Sequence, residues 1–190
     1  MGKPWERAAV IADAELVTQC RAGDATAMRA LVERFQVDVF GLCYRLLRHA
    51  QDSEDVAQEV FVRVFRSLRR YDPARPLRPW ILAIAVNRCR TAIGKRKRRP
   101  ETVDYLGETE AAQPADDSAE MTAAIRDAVD ALRDDYREVF ILFHEQGQSY
   151  EEISVAANRP VGTVKTWLHR ARALIFEHLK ERGHMPAEIA

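Results

Sequence analysis

Apolar residues along this chain recur every three or four positions, which is the spacing of one buried face of an α-helix. The longest such face runs through eight residues: Met28, Leu31, Val32, Phe35, Val39, Leu42, Leu46 and Leu47. The same spacing predicts further helices at about 13–21, 52–70, 80–97, 119–132 and 135–145. No segment alternates apolar and polar residues over the length of a strand. The pattern therefore predicts an all-α protein.

Capping residues and breakers predict where these helices begin and end. We expect Asp13, Asp24 and Asp52 to cap the first three helices, because a short carboxylate accepts hydrogen bonds from the first turn. Gly41 interrupts the apolar face of the second helix, which predicts a close helix crossing there. The segment 71–79 contains three prolines and predicts a stiff loop before the fourth helix.

The C-terminal third of the chain has the pattern of a helix–turn–helix. Ser149 and Glu152 form a capping box that starts the first helix, and Pro160 breaks the chain after it. The second helix has one apolar face: Val164, Leu168, Ala171 and Leu174 or Ile175. Its other faces carry Lys165, Thr166, Trp167, His169 and Arg170. This is the layout of a recognition helix in a DNA major groove. The alternative is an ordinary amphipathic helix with a solvated basic face.

Charge is segregated along the chain, although 29 basic and 29 acidic residues cancel. Residues 74–100 include nine Lys or Arg and no acid, whereas residues 101–120 include seven Asp or Glu and no base. Adjacent blocks of this kind indicate a nucleic-acid surface beside an acidic tether. The acidic block lacks periodicity, which predicts a flexible linker at 100–118 between domains at 12–99 and 119–182.

The third predicted helix is acidic in its first two turns. Asp55, Gln58 and Glu59 lie on exposed positions beside the apolar stripe of that helix. Such residues can simply cap and solubilise a helix, because carboxylates complement the positive end of the helix dipole. The functional alternative is a docking patch for a basic surface of a partner.

Composition excludes several classes of function. No apolar run approaches the roughly 20 residues of a membrane span, and the N-terminus lacks the apolar core of a signal peptide. Cys20, Cys43 and Cys89 are widely spaced and odd in number, which favours buried thiols in a reducing cytosol over disulfides or zinc. The histidines show no metal-ligand spacing, and no Gly-rich phosphate loop or nucleophile elbow occurs. We therefore expect a cytoplasmic protein that is not an enzyme and uses no metal or cofactor.

Four stretches, in this order, resemble the signature segments of extracytoplasmic-function sigma factors, the small promoter-specificity subunits of bacterial RNA polymerase. They read DSEDVAQEVFVRVF, RPWILAIAVNRCRTAIGKRKRR, LRDDYREVFILFHEQGQSYEEI and VGTVKTWLHRAR. The resemblance extends over about residues 14–179. It implies two helical domains that bind core RNA polymerase and promoter DNA, without membrane insertion. It also suggests an anti-sigma factor as an inhibitory partner.

The resemblance implies roles for three groups of residues. It implies that the acidic helix docks on the polymerase clamp through three residues: Asp55, Gln58 and Glu59. Reading and melting the minus-ten promoter element falls to the fourth helix and the loop before it: Tyr71, Arg78, Trp80, Asn87, Arg88 and Arg90. Binding of the minus-thirty-five element falls to the second helix of the helix–turn–helix: Lys165, Thr166, Trp167, His169 and Arg170.

Physical chemistry fits these roles but leaves two of them open. Promoter melting requires capture of single-stranded bases on aromatic rings in a cationic groove, at about 1–3 kcal/mol per stacked base. Trp80 suits that task, and it also suits a core anchor of the first domain. Asn87 can contact a base edge or hydrogen-bond the loop backbone. We expect Arg170 to contact a base and Lys165, like Arg88 and Arg90, to contact phosphates.

Three positions depart from the family pattern. Ala83 stands where a polar or basic residue is expected on the promoter-facing helix, Pro79 stiffens the start of that helix, and Trp167 replaces a basic or polar residue. A thymine methyl is one contact that Trp167 could make. These departures bear on the promoter sequence rather than on the type of activity.

A stand-alone helix–turn–helix regulator is the main alternative. Such a protein binds an operator as a dimer and without polymerase, which would leave the acidic helix and the first basic helix without a role. Because acidic segments lie beside the cationic helix, and duplex affinity comes mostly from phosphate neutralisation, we expect the free protein to bind duplex DNA weakly. We therefore expect specific promoter binding to require the core enzyme, which holds both domains on DNA together.

Overall fold

The computed structural model describes residues 4–98 and 117–184, with side chains from 13–98 and 119–184. All regular secondary structure in these ranges is helical, which confirms the predicted fold class. The chain forms two compact units, Met1–Pro100 and Glu101–Ala190. Most of the predicted linker lies outside the described residues.

Four α-helices form the described part of the first unit: α1 (Pro4–Arg21), α2 (Ala25–Leu47), α3 (Ala50–Ser67) and α4 (Leu77–Arg98). Helices α2, α3 and α4 pack against one another, and α1 packs on α2. Each helix contributes one apolar face, and the core lies where α2, α3 and α4 meet. The core includes large side chains with no exposed surface: Leu31, Leu42, Val60, Leu77, Ile81 and Leu82. All three cysteines are also buried with free thiols, as predicted.

Two of the three predicted aspartate caps are wrong. Asp24 does cap α2, with its carboxylate accepting from two backbone N–H groups at 2.7 and 3.2 Å. Asp13 lies inside α1, because that helix begins at Pro4, and its carboxylate pairs with Arg34 at 2.8 Å. The cap of α3 is His49, whose Nδ1 accepts from the backbone N–H of Asp52 at 3.2 Å.

The predictions for Gly41 and for the proline loop also need correction. A Cβ added at Gly41 would meet nothing within 4 Å, so no helix among the described residues crosses closely there. Helix α4 begins at Leu77 rather than Trp80, which places Pro79 in its first turn. Proline fits that position because the first-turn N–H groups have no partner within the helix.

Arg21 fixes the connection between α3 and α4. A 3₁₀ turn, Leu68–Arg70, follows α3. The Arg21 guanidinium donates to the carbonyl oxygens of Leu68 at 3.0 Å and Tyr71 at 2.5 Å. Because charge-assisted hydrogen bonds are among the stronger ones, α1 holds this connection and orients the start of α4.

Four α-helices also make up the described part of the second unit: α5 (Asp117–Asp130), α6 (Asp134–Phe140), α7 (Tyr150–Ala157) and α8 (Val161–Glu181). A π-helical turn, Ile141–Glu145, extends α6. Helix α8 packs against α5, α6 and α7, so it is the central element of this unit. The fully or almost fully buried side chains include Ile141, Leu142, Ile153, Val164, Leu168 and Ala171.

The predicted helix–turn–helix is present. Both hydrogen bonds of the capping box form, between Ser149 N–H and Glu152 Oε2 at 2.8 Å and between Glu152 N–H and Ser149 Oγ at 3.2 Å. Asn158 ends α7 in the left-handed conformation, with φ 50° and ψ 50°. Asparagine tolerates this conformation better than most residues, which accounts for the sharp turn into α8. The buried face of α8 includes Ile175 rather than Leu174, which is 43% exposed.

Candidate nucleic-acid and protein-docking surfaces

An exposed polar face on α3 carries the residues predicted to dock on a partner. Asp55, Gln58 and Glu59 are all exposed, while Val56 and Val60 on the opposite side are buried in the core. We call these three residues the α3 face. The apolar side of α3 therefore holds the helix in the core, and its polar side is available to contact a partner.

The sequence reasoning missed one apolar residue next to the α3 face. Val62 is 50% exposed, three residues after Glu59 and four after Gln58, and so lies on the same side of α3. An apolar residue outside the buried stripe was the available signal. Its exposed surface adds hydrophobic area to an otherwise polar patch.

An ion pair joins the α3 face to α4. The Arg88 guanidinium contacts the Glu59 carboxylate, with 33% of the Arg88 side chain and 53% of the Glu59 side chain exposed. These two residues were predicted to serve different partners. The structure places them side by side, so the predicted docking and DNA surfaces adjoin within the first unit.

Tyr71 is not available to stack on a base in this conformation, because only 4% of its surface is exposed. Its hydroxyl donates to the carbonyl oxygen of Arg75. Burial raises the pKa of Tyr71, and the nearby carboxylates of Asp13 and Asp72 raise it further, so the phenol stays neutral. In this conformation Tyr71 packs within the first unit, and its part in reading the minus-ten element stays a prediction.

Trp80 packs against that buried tyrosine. The ring centroids of Tyr71 and Trp80 are 4.9 Å apart, with a tilt of 49° between the ring planes. Trp80 is half-buried, so one part of the indole anchors the loop and another part reaches the surface. The half-buried position of Trp80 is therefore compatible both with a core anchor and with base stacking.

The remaining predicted minus-ten residues lie along α4 in different surroundings. The Arg78 Nε donates to Asp38 Oδ2 at 2.5 Å, which ties the start of α4 to α2. The exposed Asn87 amide donates to the Ala83 carbonyl oxygen at 2.9 Å, within the same helix and not to the loop. Arg90 is half-buried. The described end of α4 is exposed and cationic: Lys95, Arg96, Lys97 and Arg98.

The predicted minus-thirty-five residues divide into an exposed group and one residue at its edge. Lys165, Thr166, His169 and Arg170 are exposed. Lys165 Nζ lies 5.3 Å from the centroid of the Tyr150 ring, and Arg170 Nη1 donates to the Tyr136 hydroxyl at 3.4 Å. Trp167 is half-buried, with its ring 6.3 Å from that of Tyr136. Two arginines that sequence reasoning missed, Arg133 and Arg159, lie over these rings.

No helix among the described residues is long and apolar enough to cross a membrane. Within the same part of the chain, no group of three or more His, Cys, Asp or Glu is arranged to hold a metal ion.

Two family models match the chain, one in each unit. The model for Sigma-70 region 2 matches residues 31–99, and the model for region 4 matches residues 122–175. Together they cover more than half of the sequence. The first range includes α3 and α4, and the second includes α7 and the first 15 residues of α8.

Relatives match over most of their length. The RNA polymerase sigma-H factor of Pseudomonas aeruginosa is 30% identical over 181 residues, which covers 88% of this chain and 94% of the relative. The ECF RNA polymerase sigma factor SigW of Bacillus subtilis is 31% identical over 183 residues, covering 87% and 95%.

Solved structures are similar as well. CnrH, solved in complex with the cytosolic domain of CnrY, matches with a TM-score of 0.67 at 27% identity, covering 90% of this chain and 98% of that one. RpoE from Bartonella quintana, solved with the anti-sigma factor NepR, has a TM-score of 0.63 at 21% identity, covering 80% and 96%. The second likeness concerns the fold alone.

These matches define the class of protein: an RNA polymerase sigma factor with the sigma-70 region 2 and region 4 domains. Within that class, the chain belongs to the extracytoplasmic-function sigma factors, which confirms the family predicted from its four sequence stretches. Sigma factors are transcription initiation factors that direct core RNA polymerase to promoter DNA.

Proposed function

We propose that the α3 face docks on core RNA polymerase while α4 engages the minus-ten element. The observation that carries this proposal is the adjacency of the two surfaces, joined by the Glu59–Arg88 pair. An acidic face suits a basic partner surface, and the cationic end of α4 suits nucleic acid. One small unit can therefore bind the enzyme and its DNA at the same time.

In the second unit, the N-terminal half of α8 enters the major groove of the minus-thirty-five element. Four exposed residues support this assignment: Lys165, Thr166, His169 and Arg170. Hydroxyl, imidazole and guanidinium groups can donate to base edges, and the lysine suits a phosphate. Trp167 lies at the edge of this group, so its contribution is to the surrounding packing.

The protein acts in the cytoplasm and supplies promoter specificity rather than catalysis, since the polymerase carries out the chemistry. An anti-sigma factor controls its access to the enzyme. Support for this control comes from the similar protein CnrH, which was solved with a bound protein segment, the cytosolic domain of CnrY. An inhibitor of this kind would cover the surfaces that bind polymerase or DNA.

The test is reconstitution of the full chain with bacterial core RNA polymerase, followed by run-off transcription from a genomic promoter library. We expect a stable complex and new start sites that core polymerase alone does not give. Duplex binding by the chain alone, with no complex and no new start sites, would instead identify a stand-alone regulator.

A further inference from the structure

Two aromatic rings and three arginines form a cluster beside the N-terminal half of α8. This Trp167 cluster consists of Arg133, Tyr136, Arg159, Trp167 and Arg170. Tyr136 is 7% exposed and Trp167 is half-buried, whereas the three arginines are exposed. The rings are held by the core of the second unit, so they form a fixed floor beneath surface cations.

Two of the guanidinium groups lie over these rings. The Arg133 guanidinium carbon is 4.2 Å from the centroid of the Tyr136 ring and 6.0 Å from that of Trp167. The Arg159 carbon is 5.8 Å from the Trp167 centroid. Stacking on an aromatic face restricts the position of an arginine while the N–H groups at its edge still point outwards.

Both arginines retain donors beyond their observed contacts. Arg133 Nη2 pairs with Asp135 Oδ2 at 2.8 Å, and Arg159 Nη1 donates to the carbonyl oxygen of Asn158 at 3.2 Å. Because each guanidinium carries five N–H donors, neither contact uses all of them. A cationic, forked set of donors in a fixed position suits a phosphate group.

The position of the cluster indicates which phosphate it would meet. Trp167 is the seventh residue of α8, and Arg159 precedes the first residue of that helix by two positions. A recognition helix places its N-terminal residues at base edges, with the phosphates along the walls of the groove. Side chains at the edge of the exposed face of α8 are therefore placed to contact the DNA phosphates rather than the bases.

We propose that Arg133 and Arg159 bind phosphates of the minus-thirty-five duplex, and that the Tyr136–Trp167 ring pair positions them. This inference rests on the proposed function of the second unit. Trp167 is accordingly a positioning residue, and a direct contact of Trp167 with thymine is not required. The contact adds affinity that does not depend on base sequence.

The experiment compares holoenzymes reconstituted from the full chain and core polymerase on a promoter duplex identified by transcription. Promoter Kd is measured across a salt series for the parental chain, Arg133→Ala, Arg159→Ala and the double variant. Each single variant should reduce the slope of log Kd against log salt by about 1, and the double variant by about 2. The loss should be equal on the best promoter and on one altered in the minus-thirty-five element.

Arg182→Ala is the matched control. Arg182 is also an exposed arginine paired with an aspartate, Asp127 at 3.2 Å, but it lies just beyond the other end of α8. Its removal should leave the slope unchanged. Trp167→Ala should reduce the slope although it removes no charge, whereas Trp167→Phe should keep most of it.

The outcomes separate this inference from the function on which it rests. If the parental holoenzyme does not bind or transcribe any promoter, the proposed function fails. If the parental holoenzyme works and the arginine variants keep its salt slope, the phosphate contact is wrong. A loss confined to one promoter sequence would also overturn it, because that result identifies a base contact.

Discussion

At the scale of single residues, the Glu59–Arg88 pair joins two proposed binding surfaces. Both side chains are partly exposed, so the pair adds little to folding stability: about 1 kcal/mol or less. Its importance lies in where it is, because each partner belongs to a different proposed surface. A contact that costs little to break can open when polymerase or DNA binds.

We expect Arg88→Gln to weaken promoter binding by the holoenzyme with little effect on the fold. The slope of log Kd against log salt should decrease by about 1, since one phosphate contact is lost. Urea unfolding of Arg88→Gln, Glu59→Gln and the double variant should give a coupling free energy below about 1 kcal/mol.

Arg29→Gln is the control for this prediction, because Arg29 is an exposed arginine on α2, outside both proposed surfaces. It should leave the salt slope unchanged. A coupling of several kcal/mol between Glu59 and Arg88 would mean that the pair is structural, and an unchanged salt slope in Arg88→Gln would remove Arg88 from the DNA surface.

At the scale of helices, the sequence predicted apolar faces better than helix ends. Asp24 and Ser149 are caps as expected, because a short side chain there reaches the free N–H groups. His49 was missed, since imidazole is an uncommon cap and Asp52 stands nearby in the expected register. Where a helix begins depends on which of several nearby polar side chains hydrogen-bonds the free backbone N–H groups. Tertiary contacts determine which side chain does so.

Leu168 and Leu174 offer a matched test of which face of α8 is buried. Leu168 is 1% exposed and Leu174 is 43% exposed on the same helix. Leu168→Ala should lower the free energy of unfolding by about 2–5 kcal/mol, because it removes packed methyl groups and leaves a cavity. Leu174→Ala should lower it by less than about 1 kcal/mol.

Urea denaturation followed by circular dichroism measures both changes. Both variants replace leucine with alanine on the same helix, so the change in helix propensity is the same in each. Equal costs for the two variants would contradict the orientation of α8, and with it the exposure of Thr166, His169 and Arg170 to DNA.

At the scale of the whole molecule, the two-unit organisation and the family could be predicted from sequence because each signature stretch is local and ordered along the chain. The contacts that a residue makes with distant parts of the chain could not be predicted from sequence. Tyr71 is buried where Arg21 of α1 and Trp80 of α4 contact it, and the Glu59–Arg88 contact joins residues 29 positions apart. The spacing of apolar residues predicts which face of a helix is buried, but it does not predict which side chains of another helix contact that face.

Charge reversal tests whether the α3 face binds core RNA polymerase. The variant Asp55→Arg with Glu59→Arg replaces two exposed carboxylates that are four residues apart on a helix. The matched control, Glu177→Arg with Glu181→Arg, makes the same change at the same spacing on exposed positions of α8. Both should keep the parental circular dichroism spectrum.

The measurement is the Kd of each full-length chain for bacterial core RNA polymerase. We predict that the α3 reversal weakens binding at least about 100-fold, because like charges at an interface cost several kcal/mol. The α8 control should bind within about threefold of the parental chain, since surface charges away from an interface contribute little. Unchanged core binding by a folded α3 reversal would contradict the assignment of this face to polymerase docking.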